Sequence, residues 1–105
     1  MKVITTGYKY ELASFEGGPT QSLQFIEKTS QLTENPDGSK LVTVNDGTTN
    51  EEVLKVLIDR LQYLNGKFPC RENAIVITKL EESLMWLNKR TADRAARNVE
   101  GKAAA

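Results

Sequence analysis

The sequence predicts an α+β fold, a small N-terminal antiparallel sheet followed by a C-terminal hairpin of two helices, the second long. Three observations predict it. Strand-like stretches separated by glycine, proline and asparagine turns fill residues 1–48. At Thr49 the apolar period changes from two residues to between three and four. From Arg71 to Asn98 no glycine or proline interrupts the chain. One domain is expected over 1–105, made of a strand-rich part (1–48), a helical hairpin (49–100) and a tail (101–105) that carries no pattern and is expected to fray.

Each element has its own signal. Tyr8, Tyr10 and Leu12 alternate with Lys9, Glu11 and Ala13, the period of a strand with one buried face. Val3 and Ile4 add a short stretch before it, and Gly17-Gly18-Pro19 breaks the chain after it. Leu23 to Lys28, with Leu23, Phe25 and Ile26, reads as a second strand, and Asn35-Pro36-Asp37-Gly38 as a turn. Leu41-Val42-Thr43-Val44 is a third, β-branched strand, stopped by Asn45-Asp46-Gly47. Thr49-Asn50-Glu51-Glu52 has the form of a capping box. The helix after it carries Leu54, Leu57, Leu61 and Leu64 as one stripe, and Asn65-Gly66 is expected to end it. Phe68-Pro69 forms the link. The second helix, expected from Arg71 to about Asn98, would be about 40 Å long at 1.5 Å per residue. A thin domain cannot cover that length, so part of it should protrude or meet a partner.

Composition removes whole classes of function. The 105 residues hold 14 lysines and arginines, 14 aspartates and glutamates, no histidine and one cysteine. A disulfide framework and an ordinary structural zinc site both lack their ligands, so no metal or cofactor is expected. Catalysis by a Ser-His-Asp or Cys-His system is impossible without histidine. Zero net charge argues against duplex nucleic acid as the partner. There is no run of about 18 apolar residues to span a membrane, and the N-terminus lacks the apolar core of a signal peptide. The chain is therefore expected to stay in the cell that makes it, with Cys70 a reduced, half-buried thiol.

The second helix carries the functional information. Ile77, Leu80, Leu84 and Leu87 form a seam at spacings of 3, 4 and 3, as in helix-on-helix packing. The same line extends to Asn73 at one end and to Thr91 and Arg94 at the other, so the seam is apolar in the middle and polar at both ends. Charge is also uneven, with residues 89–105 holding 5 positive and 2 negative groups against a net negative remainder. Arg90, Arg94 and Arg97 line one face. Asp93 is placed to offset Arg90 and Arg97, whereas Arg94 has no carboxylate three or four residues away in sequence. A planar guanidinium in that setting suits phosphate oxygens, although the helix dipole or the carboxylates of another copy would also account for basic residues there. Trp86, four residues before Arg90, either stacks on that guanidinium or fills core. Tyr63 lies between Arg60 and Lys67 on the face of the first helix. It is either a platform for a nucleobase or a half-buried tyrosine with a wet hydroxyl. Asn73 and Arg94 are 21 residues apart, about 31 Å along a straight helix. If both touch one small ligand, they come from two chains, and an antiparallel twofold dimer would hold two equivalent sites.

Two segments carry a family resemblance. One is Asn45-Asp46-Gly47-Thr48-Thr49-Asn50-Glu51-Glu52-Val53-Leu54, running into Val56-Leu57-Ile58-Asp59-Arg60-Leu61. The other runs from Lys79 through Leu84-Met85-Trp86-Leu87 to Arg90-Thr91-Ala92-Asp93-Arg94. Together they resemble the phage Thoeris anti-defence protein 1 family, and the helical hairpin is similar to that of phage anti-CBASS proteins that sponge cyclic nucleotides. The resemblance implies a protein that is not an enzyme. Acting in the host bacterial cytoplasm, it would sequester glycocyclic ADP-ribose, the signal of a TIR-domain enzyme, without cleaving it, and so block Thoeris immunity. It further implies binding of cyclic trinucleotides in separate pockets, and a homo-oligomer, either a dimer or a hexamer built from dimers. The family pocket uses an aromatic residue, an asparagine and two arginines one turn apart. These correspond to Tyr63 (with Phe68 nearby as the other candidate), Asn73, Arg90 and Arg94. Other readings of the same residues are a cyclic-oligonucleotide sponge directed at CBASS, a structural oligomerisation module whose arginines pair with carboxylates, and an enzyme that cleaves the signal with an acidic residue as base.

Overall fold

Five strands and two helices make up the computed structural model, which describes residues 1–36 and 38–97. They fall into two compact units that divide between Thr49 and Asn50, the point at which the apolar period changes.

The first unit contains β1 (Lys2–Thr5), β2 (Lys9–Leu12), β3 (Gln21–Gln24), β4 (Glu27–Ser30) and β5 (Leu41–Asn45). β1, β2 and β3 form an antiparallel sheet in that order, with β2 in the centre. Val3, Tyr10 and Leu23 stand opposite one another across it, so the alternating apolar residues of three strands share one face. The Tyr10 ring meets Phe25 edge-on, with centroids 6.0 Å apart and planes at 86°. The stretch expected as one strand over Leu23–Lys28 is in fact two. β3 pairs with β2, whereas β4 pairs with β5 in a separate two-stranded sheet. The chain changes sheets at Phe25-Ile26, where Thr48 bridges to Phe25 in parallel. The Thr48 N–H donates to the Gln24 carbonyl (2.8 Å), and the Ile26 N–H donates to the Thr48 carbonyl (2.9 Å).

That crossing explains the Asp46-Gly47 pair. A Cβ on Gly47 would lie 2.6 Å from the Gln24 carbonyl oxygen and 2.6 Å from the Phe25 carbonyl carbon. The Asp46 carboxylate accepts the Gly47 N–H at 2.8 Å. The β4–β5 connection is tied by Asn35. Its amide accepts from Gln31 Nε2 (2.6 Å) and donates to Ser39 Oγ (2.9 Å) and to the Leu41 carbonyl (2.6 Å). The expected turn is closed by the Gly38 N–H on the Asn35 carbonyl, 2.9 Å; its Asp37 lies outside the described residues. Ser39, 6% exposed, is the buried polar residue, and among the described residues no hydrophobic side chain is buried.

The second unit is a hairpin of α1 (Asn50–Lys67) and α2 (Arg71–Ala96). α1 opens directly after Thr49, with Glu51 and Glu52 in its first turn. It continues through Asn65-Gly66 to Lys67, past the expected stop. Asn65 instead secures the link, its side-chain oxygen accepting the Cys70 N–H at 2.9 Å. Cys70 is exposed, against the half-buried expectation. It serves as N-cap of α2, with its sulfur accepting the Asn73 N–H at 3.4 Å. The described part of α2 ends at Ala96. The expected end near Asn98 and the tail 101–105 lie outside the described residues.

The α2 seam is where the spacing predicts it. Asn73, Ile77, Leu80, Leu84, Leu87 and Arg94 are the half-buried residues of this helix, while Thr91 is exposed. On α1 the stripe turns by one position. Leu54, Ile58, Leu61 and Leu64 are half-buried, whereas Leu57 is 42% exposed. Two adjacent apolar residues allow either choice, and packing against α2 selects Ile58. Trp86 is 55% exposed and so is not core.

Candidate functional site

All four sequence-predicted site residues lie on the hairpin. α1 and α2 pack on each other and are joined by three residues, so they run antiparallel. α1 has 18 residues and α2 has 26. The last turns of α2 therefore extend past the start of α1, by about 12 Å for eight extra residues. Arg90 and Arg94 stand on that extension. They are one turn apart, Arg90 exposed and Arg94 half-buried. Asp93 is not paired with Arg90 as the spacing suggested. Its carboxylate bonds Lys89 Nζ at 2.7 Å, at i,i+4.

The other two residues lie at the opposite, closed end. Tyr63 is 60% exposed on α1. Its ring lines an open groove with Lys55, Val56, Asp59 and Arg60. The Lys67 ammonium sits 4.8 Å from the ring centroid. This is a cation–π contact along one face of α1. Asn73 is half-buried in the first turn of α2, its backbone N–H engaged by the Cys70 cap. Phe68, in the link, is 79% exposed.

The four residues thus fall at two ends of the hairpin, Tyr63 and Asn73 near the turn on different faces and Arg90 with Arg94 at the far end. Because α2 is unbroken between Asn73 and Arg94, about 31 Å separates them along the helix. No small ligand touches all four within one chain. The chemistry of the pairs is nonetheless complementary. The closed end offers an aromatic face and an amide with both donors and acceptors. The open end offers two guanidiniums whose forks match phosphate oxygens. Among the described residues, no group of three or more carboxylates or thiols is placed to hold a metal ion, and no helix is long and apolar enough to cross a membrane.

Sequence reasoning missed a second groove, lined by Lys55, Ile58, Asp59 and Gln62 of α1 and by Glu81, Leu84, Met85 and Asn88 of α2. Its signal was present in the spacing of Lys55, Asp59 and Gln62, and of Glu81, Met85 and Asn88, each set at 4 and 3. Such a polar line beside an apolar seam reads as ordinary helix surface.

Comparison with known proteins places these residues in context. The family model of the Acb2/Tad1 hairpin domain matches residues 27–92. The match runs from β4 through Tyr63, Asn73 and Arg90 and stops two residues before Arg94. The chain is also similar to Thoeris anti-defense 1 of Bacillus phage SBSphiJ7, at 48% identity over 85 residues, covering 70% of this chain and 60% of the relative. The chain accordingly spans about 60% of that relative's length.

Proposed function

Since the chain belongs to the Acb2/Tad1 hairpin-domain family, we propose that it is a phage anti-defence sponge that binds and sequesters glycocyclic ADP-ribose in the host bacterial cytoplasm, blocking Thoeris immunity without cleaving the ligand. The similarity to the phage protein Thoeris anti-defense 1 supports the anti-Thoeris part of this reading. The observation that carries the binding part is the two-ended hairpin, with an aromatic ring and an amide at one end and an arginine pair at the other, too far apart to serve a ligand within one chain.

In the proposed pocket, adenine stacks on Tyr63, a contact worth about 1–3 kcal/mol per base. Asn73 bonds a ribose or base edge. Arg90 and Arg94 of a neighbouring copy neutralise the diphosphate. Two antiparallel α2 helices related by a twofold axis form two such pockets, in a dimer or in a hexamer built from dimers. Sequestration requires affinity and closure; it requires no general base, metal or cofactor.

The test is to incubate the purified chain with the product of a TIR-domain enzyme, remove unbound material, heat-denature the complex and identify what is released by mass spectrometry. Recovery of intact glycocyclic ADP-ribose is expected. Release of a cleaved product would turn the reading into an enzyme, and release of nothing would remove it. The similarity of the hairpin to anti-CBASS proteins supports cyclic di- and trinucleotides as the second ligand class. Calorimetry with each purified nucleotide separates the two.

A further inference from the structure

We infer that Lys67 is a specificity-determining residue of the pocket: its ammonium occupies one face of the Tyr63 ring, leaving the other for a single base, and its charge, acting from behind the ring, adds to the positive potential around the anionic ligand. This rests on the sponge reading above. Lys67 is the exposed last residue of α1, four residues after Tyr63 on the same face. Its Nζ lies 4.8 Å from the ring centroid, inside the roughly 6 Å over which a cation and a π face attract. It takes part in neither helix ion pair, Lys55–Glu52 at 3.2 Å or Lys89–Asp93 at 2.7 Å. The ring, not a carboxylate, receives this ammonium.

An aromatic ring has two faces. With one covered by a cation, two bases cannot sandwich it, so the platform selects a ligand that offers one base at a time. The surrounding charges favour an anion. Arg60 and Lys55 line the groove beside Tyr63, with Asp59 the opposing carboxylate. A ligand with one adenine and a diphosphate satisfies both conditions; a ligand that must clasp the ring between two bases satisfies only the second.

The experiment is calorimetric titration of the full chain and of Lys67→Met, Lys67→Arg and Lys67→Glu with glycocyclic ADP-ribose, at about 50 mM and about 300 mM salt, which bracket the ionic strengths where the Debye length is roughly 8–10 Å. Lys67→Arg should bind within about twofold of the unmodified chain, since arginine keeps both the charge and the cation–π contact. Lys67→Met should bind roughly three- to tenfold more weakly at low salt, with the deficit shrinking at high salt. Lys67→Glu should be weaker still. Circular dichroism should give the same helix content for all four, because the position is exposed at a helix end. Equal affinity of Lys67→Met and the unmodified chain at both salts overturns the role of Lys67 and leaves the sponge reading intact. No binding by the unmodified chain overturns both.

Discussion

Mixing two crippled variants tests whether each pocket draws on two chains. Take Asn73→Ala and Arg94→Ala. In the proposed pocket each removes hydrogen bonds to the ligand, and bonds involving a charged group are worth about 1.5–3 kcal/mol. At 1.4 kcal/mol per factor of ten, Arg94→Ala alone should weaken binding by about 10- to 150-fold. With α2 unbroken over Arg71–Ala96, a pocket that uses both residues takes them from different protomers. In a dimer of one variant with the other, one pocket then carries both substitutions and the other carries neither. Random pairing makes about half of the dimers mixed, so about a quarter of all pockets regain full affinity. Co-express the two variants, purify the mixture and titrate it with glycocyclic ADP-ribose. A tight class of sites at about one quarter of the unmodified capacity is expected, over a weak remainder. A mixture that binds no better than the average of its parents would refute the shared pocket.

Three further outcomes follow from single contacts. Gly47→Ala should lower stability by about 2 kcal/mol or more in denaturant melts. Its Cβ would sit 2.6 Å from two backbone atoms, and relieving the clash breaks the Ile26–Thr48 and Thr48–Gln24 bonds at about 1 kcal/mol each; a shift within 0.5 kcal/mol, about a twofold change, would contradict the crossing. Asn35→Ala removes three side-chain hydrogen bonds at a half-buried site and should cost about 2–3 kcal/mol in the same melts while leaving nucleotide affinity unchanged. Tyr63→Ala should weaken binding by roughly 5- to 150-fold and Tyr63→Phe by less than about threefold, because the face of the ring carries the contact. If Phe68→Ala shows the large loss instead, the platform belongs to the link.

The helical half was more legible in the sequence than the sheet, for a physical reason. A helix repeats its face every three to four residues, so Ile77, Leu80, Leu84 and Leu87 declare a seam without knowledge of the partner. The limit shows at Leu57 and Ile58. Both are apolar and adjacent, and only packing against α2 decides which turns inward. The strand change at Phe25-Ile26 was marked only by two adjacent apolar residues that interrupt the alternation of Leu23, Gln24 and Phe25, a signal that a single strand with a bulge would also give. The break is imposed by Thr48, more than twenty residues later, bridging to Phe25. Trp86 misled for a similar reason, since a large aromatic looks like core until its surroundings are known. At the site, the residue types and the separation of Asn73 from Arg94 were readable. The placement of Lys67 over Tyr63 was not, because i,i+4 spacing permits the contact without requiring it.

The uninterrupted second helix also constrains how relatives of this chain can change. Inserting one residue between Asn73 and Arg90 would lengthen the rod by only about 1.5 Å, yet swing both guanidiniums about 100° around its axis. The side that had faced a ligand would then face elsewhere while the start of the helix stayed put. Insertions and deletions in this stretch should therefore occur in sets of about seven, two full turns, which restore the angle and change only the reach.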